Sequence, residues 1–235
     1  MKKKYQYLLQ QISLQTLAVT VLFISSFFVF GYIVDENVLE NNNVFDTKVI
    51  AYVAAHATPL LIRVMEIITF FGSMQFLLPA YILMILYFFL KKNYVYSIDI
   101  AIIASTSTGA MYLLKQLFKR PRPDLPVIDS AVGYSFPSGH SLSSFIFFTI
   151  IAYILWNSAG KKTWKYLVTV LLFIFSITIG LSRIILNVHY ATDVIAGFCL
   201  GIIWVLLSFW LIREIRKKTA PNANITIDGA ADKVL

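Results

Sequence analysis

The sequence predicts an all-α protein that crosses a membrane six times, with both termini on the cytoplasmic side. Hydrophobic residues make up 58% of the 235 residues and charged residues only 14%, whereas soluble domains have about 45–50% and about 25%. The mean hydropathy is correspondingly high, at +0.74. The apolar residues also gather in separate runs, several of them close to the roughly 20 residues that a membrane-spanning helix needs.

The apolar runs place the six spans in chain order, each ending at polar or charged residues. They cover about residues 14–33, 74–90, 98–118, 139–156, 166–181 and 191–212. The first run follows Met1-Lys-Lys-Lys as a signal peptide would, but its length and the lack of a small-residue cleavage site favour a retained span. Residues 34–48 are polar and mostly acidic, which predicts a loop. Residues 49–69 have apolar positions at helical spacing, which predicts an amphipathic helix that lies at the membrane surface or caps the bundle.

These spans form one predicted domain, residues 1–218, which suits the length of the chain. The polar tail, 219–235, contains Pro, Asn and Gly and is predicted to be a disordered cytoplasmic segment. A lone cysteine, Cys199, lies within an apolar run and supports no disulfide framework. Three histidines without a cysteine cluster argue against a structural zinc site.

The net charge of +8 belongs mainly to lysines and arginines that flank the apolar runs, so it indicates membrane anchoring rather than nucleic-acid binding. Basic clusters at the N-terminus, at 91–92, at 161–165 and at 213–218 fall on one predicted face, which the positive-inside rule makes cytoplasmic. The segment Lys119-Arg120-Pro-Arg122-Pro123 is the exception, because it falls on the outer face. A basic cluster there suggests an anion that it serves.

Polar residues that suit a phosphate group follow the third span and open the fourth. Lys115 supplies a compact charge and Arg122 a planar fork that matches two phosphate oxygens. Ser138 is a predicted N-cap, and Gly139 allows a ligand to approach the free N–H groups of a helix N-terminus. His140 would lie in the first turn, beside a bound anion. A snorkelling lysine and a packed histidine are the alternative interpretations.

A third polar set, Arg183, His189 and Asp193, joins the fifth and sixth spans. If residues 189–193 are helical, His189 and Asp193 share a face, and the carboxylate can hold one ring nitrogen as N–H. A helix-end ion pair is the alternative. All three polar sets fall at the same predicted membrane depth, which favours a phosphate-ester site at the outer interface.

The three sets together resemble the signature motifs of the type-2 phosphatidic acid phosphatase superfamily. The motifs are Lys115-x6-Arg122-Pro123, Pro137-Ser138-Gly139-His140 and Ser182-Arg183-x5-His189-x3-Asp193. The resemblance covers residues 115–193 with every spacing intact. It implies that His189 is a nucleophile that forms a phosphohistidine, that Asp193 orients and activates it, and that His140 protonates the leaving group. It also implies that the phosphoryl oxygens are held by Lys115, Arg122, Arg183, Ser138 and the backbone of Gly139.

The resemblance therefore implies a multi-pass enzyme of the plasma membrane that hydrolyses a lipid phosphate monoester or diphosphate at the outer face. Three cations can supply the charge that a metal supplies elsewhere, so neither metal nor cofactor is expected. Undecaprenyl diphosphate and phosphatidylglycerol phosphate are the leading substrates, but the sequence does not separate them from phosphatidic acid or a lipid A phosphate. The alternatives are a lipid phosphotransferase with the same intermediate and a non-catalytic phosphate transporter. The oligomeric state stays open.

A nucleophilic imidazole must be neutral and an acid imidazole protonated, so the two histidines need different pKa values. The charge of Asp193 is expected to raise the pKa of His189 while fixing its tautomer.

Overall fold

A computed structural model describes residues 14–128 and 133–219, and this part of the chain is helical throughout, with loops between the helices. The basic N-terminus and the predicted tail beyond residue 219 lie outside the described residues. The helices are α1 (Leu14–Ile33, continued as a π-helix over Val34–Leu39), α2 (Val44–His56), α3 (Pro59–Phe70), α4 (Met74–Leu90), α5 (Tyr94–Phe118), α6 (Gly139–Asn157), α7 (Lys162–Ile185) and α8 (Ala191–Thr219).

Six stretches of the described chain are long and apolar enough to cross a membrane, which confirms the six-span prediction. They are Thr16–Leu39, Pro59–Leu90, Tyr94–Phe118, Gly139–Asn157, Lys162–Ile185 and Ala191–Lys218. The second stretch is longer than the predicted span because α3 continues into α4 across a short break at residues 71–73.

The segment before α4 differs from its prediction. The expected loop at 34–48 is helical over Val34–Leu39 and again from Val44, where Asp46 lies in the first turn and favours the helix N-terminus. The expected single amphipathic helix at 49–69 is two helices. Thr58 caps α3 by accepting a hydrogen bond from the Leu61 N–H at 3.2 Å, and Pro59 occupies the first helical position, where it ends any continuation of α2.

Helix α6 forms the centre of the bundle and packs against both α7 and α8, while α1 packs on α8, α4 on α5 and α3 on α7. Its side chains fill a core with residues of α5 and α8. The largest cluster of buried residues is Ile100, Ile103, Leu142, Ile146, Ile150, Leu200 and Val205. Large apolar side chains on α1, such as Phe27 and Phe28, are exposed, as expected for a surface that faces lipid.

Close contact between α6 and α8 depends on Gly197. A Cβ atom at this position would lie only 2.7 Å from the backbone oxygen of Ser138, so only glycine lets the start of α6 approach so near. The N–H of Ser138 then donates to the backbone oxygen of Asp193 at 3.0 Å. The packing of these two helices therefore joins the second and third polar sets.

Candidate active site

The three polar sets meet at one end of the bundle, where α5 ends, α6 begins and α7 turns into α8; we call this the motif end. The turn between α7 and α8 is held from both sides. Asn187 adopts a left-handed backbone conformation with φ of 52°, and its amide donates to the Asp124 carbonyl at 2.7 Å. The N–H groups of Val188 and His189 both donate to the Arg183 carbonyl, at 3.1 and 3.3 Å. These backbone hydrogen bonds therefore fix the position of the His189 Cα atom, from which the ring projects.

His189 and Asp193 lie side by side, although α8 begins only at Ala191 and His189 precedes it. Nδ1 of His189 is 3.4 Å from Oδ2 of Asp193, and the same oxygen accepts the N–H of Tyr190 at 3.0 Å. This second bond is the reciprocal half of a capping box, in which a carboxylate in the first turn reaches back to the cap residue. Helix capping, rather than a shared helical face, thus places the carboxylate beside the imidazole.

Ser135 completes the contacts on this side of the imidazole. Its hydroxyl lies 3.2 Å from Nδ1 of His189 and donates to Oδ2 of Asp193. The other ring nitrogen, Nε2, lies 3.2 Å from an N–H-bearing nitrogen of Arg122. A guanidinium only donates, so Nε2 is the acceptor and Nδ1 carries the hydrogen.

Burial decides the charge of His189. Removal from water lowers its pKa to about 4, and the positive charges of Lys115 and Arg122 act in the same direction, while Asp193 opposes them. The carboxylate does favour the protonated ring, as expected from the sequence, but desolvation outweighs it. His189 is therefore neutral at pH 7, and the unprotonated lone pair of Nε2 accepts the Arg122 N–H.

Two of the predicted cations hold the loops that carry these groups. Lys115 donates from Nζ to the carbonyl of Tyr134 at 2.6 Å, and Arg122 donates to the carbonyl of Val188 at 2.7 Å. Burial lowers the pKa of Arg122, but an arginine starts so high that it keeps its charge at neutral pH. Both cations thus lie against the segments on either side of His189.

Arg183, the third predicted cation, is only 4% exposed. One of its terminal nitrogens donates to the hydroxyl of Thr69 at 2.6 Å. Its Nε has no hydrogen-bond partner among residues 14–128 and 133–219. A buried donor without a partner is costly, so this N–H is the kind of group that a bound anion could satisfy.

The start of α6 has the predicted cap. Ser138 accepts a hydrogen bond from the hydroxyl of Ser141 at 2.9 Å and a longer one from its N–H at 3.4 Å. Gly139 begins the helix, where the N–H groups lack helical partners. His140 follows in the first turn, packed beside Gly72 at the α3–α4 break. Arg183 and His189 both lie close enough to interact electrostatically with its ring, so both histidines belong to one site.

Four residues at this site were not singled out from the sequence: Asp46, Thr69, Arg120 and Ser135. The sequence grouped Arg120 with an outward basic cluster that serves an anion. Instead, Arg120 is 4% exposed and forms ion pairs with Asp193 at 2.6 Å and with Asp46 at 2.9 Å. The sequence signal for this role was the cluster's positive charge, which no acidic residue within the cluster balances. A buried arginine requires a carboxylate partner, so a partner elsewhere in the chain was to be expected.

Comparison with known proteins gives a consistent result. A sequence model described as the PAP2 superfamily matches residues 92–217, more than half of the chain. Phosphatidylglycerophosphatase B of Bacillus subtilis (strain 168) is 31% identical over 161 residues, which are 68% of this chain and 77% of that protein. A decaprenylphosphoryl-5-phosphoribose phosphatase of Mycobacterium tuberculosis (strain ATCC 25618 / H37Rv) is 39% identical over 93 residues, 38% of this chain and 46% of that protein.

A solved structure shares the fold. The crystal structure of a transmembrane PAP2 type phosphatidylglycerolphosphate phosphatase from Bacillus subtilis superposes with a TM-score of 0.70 at 27% identity, over 85% of this chain and 96% of that one.

Proposed function

The chain is a multi-pass membrane phosphatase of the PAP2 superfamily, and from this premise we propose that it hydrolyses a lipid phosphate or diphosphate through a phosphohistidine at His189. The observation that carries the proposal is the state of the His189 ring. It is buried and neutral, its Nδ1 side is held by Asp193 and Ser135, and its Nε2 faces a guanidinium. A nucleophile needs an unprotonated lone pair beside a group that attracts the phosphoryl oxygens. Arg122 would release Nε2 and turn to those oxygens when the substrate binds.

In the first step, Nε2 of His189 attacks phosphorus and the bond to the leaving oxygen breaks. His140 donates its proton to that oxygen, and the positive charge that forms on His189 is stabilised by Asp193 through Nδ1–H. In the second step, water gives a proton to His140 and attacks the phosphohistidine. The P–N bond breaks, which returns the neutral His189 ring and releases phosphate.

The phosphoryl oxygens are held by Lys115, Arg122, Arg183, Ser138 and the backbone N–H of Gly139. Support comes from the open Nε of Arg183 and from the helix N-terminus at Gly139, both of which suit an anion. Three cations around one phosphoryl group supply the charge that metal ions supply in other phosphatases. We therefore propose that turnover needs no metal.

We place the site at the outer face of the plasma membrane and assign residues 1–218 to one catalytic membrane domain, followed by a cytoplasmic tail. The basic segments 91–92, 161–165 and 213–218, at helix ends and in the turns between helices, lie at the opposite end of the bundle from the motifs. The positive-inside rule makes that end cytoplasmic. Because relatives are named for phosphatidylglycerophosphate and for a decaprenylphosphoryl sugar phosphate, glycerolipid phosphates and polyprenyl phosphates or diphosphates are the substrates to test first.

Phosphate release from a panel of such lipids, measured in EDTA with purified protein, tests the proposal. The wild type should release free phosphate from at least one lipid. His189→Ala should lose turnover by a factor on the order of 10⁴ or more, as expected for a missing nucleophile. Undiminished hydrolysis by His189→Ala would refute the covalent route, and activity restored only by a divalent ion would refute metal independence. Transfer of labelled phosphoryl to lipid alone would identify a phosphotransferase.

Orientation has a separate test. Leu125 lies in the loop beside the site and is 88% exposed. A cysteine at this position, with the native Cys199 replaced by serine, should react with a membrane-impermeant thiol reagent in intact cells. A cysteine in place of Lys161 should react only after permeabilisation, and the reverse pattern would invert the proposed topology.

A further inference from the structure

Arg120 connects two carboxylates that are far apart in the sequence. One terminal nitrogen of its guanidinium donates to Oδ1 of Asp193 at 2.6 Å and to the hydroxyl of Thr192 at 2.9 Å. The other donates to Oδ2 of Asp46 at 2.9 Å and to the side-chain oxygen of Asn43 at 2.6 Å. Asp46 and Asp193 are fully buried. The fork of an arginine can hold two acceptors in fixed directions, which a lysine cannot do.

The contacts of Asp193 are divided between its two oxygens. Oδ1 receives Arg120, while Oδ2 receives Ser135 and the N–H of Tyr190 and lies near Nδ1 of His189. Arg120 thereby fixes the orientation of the Asp193 carboxylate, with Oδ2 directed toward the imidazole of His189. Without Arg120, Oδ1 of Asp193 would lose this hydrogen bond while buried, which favours rotation of the carboxylate toward another donor.

Asp46 also anchors the helix that carries Asp193. Its Oδ1 accepts the backbone N–H of Thr192 at 3.0 Å, and its Oδ2 accepts the hydroxyl of the same residue at 2.5 Å. Asp46 therefore caps the first turn of α8 from a different helix, α2, and meets one of the N–H groups that a helix start leaves open. It lies outside residues 92–217, to which the family model aligns.

The charges also fit a reaction in which His189 becomes positive. Asp46, Arg120 and Asp193 together carry one net negative charge in a buried cluster. The positive charge that develops on the His189 ring as Nε2 bonds to phosphorus would lie next to this negative cluster. Asp193 paired with Arg120 alone, without Asp46, would form a neutral pair that attracts the charge less. Stabilisation that appears only as charge develops raises kcat rather than substrate affinity.

We propose that Asp46 and Arg120 are positioning residues, which act through Asp193 and the first turn of α8 to hold Oδ2 against Nδ1 of His189. Neither residue touches the lipid phosphate. The role rests on the proposed function of His189, and it assigns to α2 a part in catalysis that the sequence motifs do not contain.

The rival explanation is that this ion pair only holds helices together, and the chain offers a matched control for it. Arg216 and Asp99 form an ion pair between α8 and α5 at the opposite end of the bundle. Asp99→Asn should therefore measure what the loss of a helix-linking ion pair does on its own. Arg120→Gln, Arg120→Lys and Asp46→Asn test the pair at the motif end.

The experiment compares kcat and KM of these full-length variants with the wild type and with His189→Ala. We expect Arg120→Gln to lower kcat by about 10–100-fold, because a misplacement of about 1 Å can cost about 100-fold in rate, with KM little changed. Arg120→Lys should recover part of the lost kcat. The kcat of Asp46→Asn should lie between those of the wild type and Arg120→Gln, and Asp99→Asn should keep the wild-type kcat. Equal losses in Asp99→Asn and Asp46→Asn, or a change confined to KM, would overturn the positioning role.

A spectroscopic readout keeps the test independent of turnover. Nitrogen-15 spectra of histidine-labelled protein in nanodiscs, assigned with His189→Asn, report which ring nitrogen of His189 carries the hydrogen. The wild type should show the Nδ1–H form, and both Arg120→Gln and Asp46→Asn should show a mixture. An unchanged Nδ1–H form in folded variants would reject the inference while leaving the phosphohistidine intact. Activity that survives in His189→Ala would instead refute the proposed function.

Discussion

Arg120 and Arg183 are two cations at the motif end with the same 4% exposure, but their surroundings differ. Arg120 donates to two carboxylates, so its charge is more than balanced. Arg183 meets the uncharged hydroxyl of Thr69, and its Nε has no partner in the described parts of the chain. A buried charge needs compensation. Arg120 has it within the protein, and we propose that Arg183 obtains it from the phosphate group of the substrate.

The largest expected effect separates the two arginines by what they bind. Arg183→Gln should lower kcat/KM by about 10²–10³-fold, as for the removal of one group that stabilises charge in the transition state. It should also weaken inhibition by inorganic phosphate, whereas Arg120→Gln should lower kcat and leave that inhibition near the wild-type level. Phosphate inhibition constants for both variants provide the measurement. Equal weakening in the two would remove the distinction between them.

The second prediction concerns a substitution that should displace His140, the proposed acid, and leave both arginines unchanged. A Cβ atom at Gly72 would lie 2.4 Å from Ile179 and 3.1 Å from Cδ2 of His140, so Gly72→Ala must displace the imidazole or α7. A displacement of about 1 Å in a reacting group costs up to about 100-fold in rate. We expect a loss approaching that size in kcat, with phosphate inhibition retained.

Gly109→Ala is the matched control for this change, because a Cβ atom there would meet no atom of residues 14–128 and 133–219 within 4 Å. It should keep wild-type activity. Full kcat in folded Gly72→Ala would show that the site tolerates a shift of His140, and would count against a role for its exact position.

A third prediction concerns the anchor of Arg183. Thr69→Val keeps the shape of the side chain and removes the hydroxyl that accepts from the guanidinium at 2.6 Å. A hydrogen bond to a charged group contributes about 1.5–3 kcal/mol. The lower end of that range corresponds to about tenfold weaker phosphate binding, which is the loss we expect. Thr69→Ser, which restores the hydroxyl, should recover most of it. If Val and Ser behave alike, packing rather than the hydrogen bond holds Arg183.

The sequence predicted the six spans and the motifs that meet in space, because apolar runs and motif spacing are local signals. It did not single out Asp46 and Thr69, whose importance comes from contacts with Arg120 and Arg183 on distant helices. Residues 34–48 contain four acidic side chains, and their spacing does not mark the one that will be buried. The apolar spacing over 49–69 predicts one helix because it continues across Pro59, although Thr-Pro is itself a helix-start signal.

The smallest expected effect at neutral pH concerns the charge of His189, and it again distinguishes the two arginines. Burial lowers the pKa of His189 from 6.5 to about 4, so the ring should stay neutral in a titration followed by nitrogen-15 spectra down to roughly that pH. Arg120→Gln should raise this pKa, because the charge of Asp193 would then act on His189 without its counter-ion. Arg183→Gln should shift it less, since Lys115 and Arg122 are the cations that act on this ring most.

The same pKa difference determines whether acid raises or lowers the free energy of unfolding. Between pH 6.5 and about 4, His189 is protonated in the unfolded chain but stays neutral in the folded protein. Acid therefore favours unfolding in this pH range. The contribution is fully favourable to folding above pH 6.5 and is lost as pH falls toward 4. His189→Asn should therefore flatten this part of the pH dependence in thermal melts, while Asp99→Asn, far from the ring, should not. A slope that survives in His189→Asn would mean that another group carries it, and that His189 is not held neutral by burial.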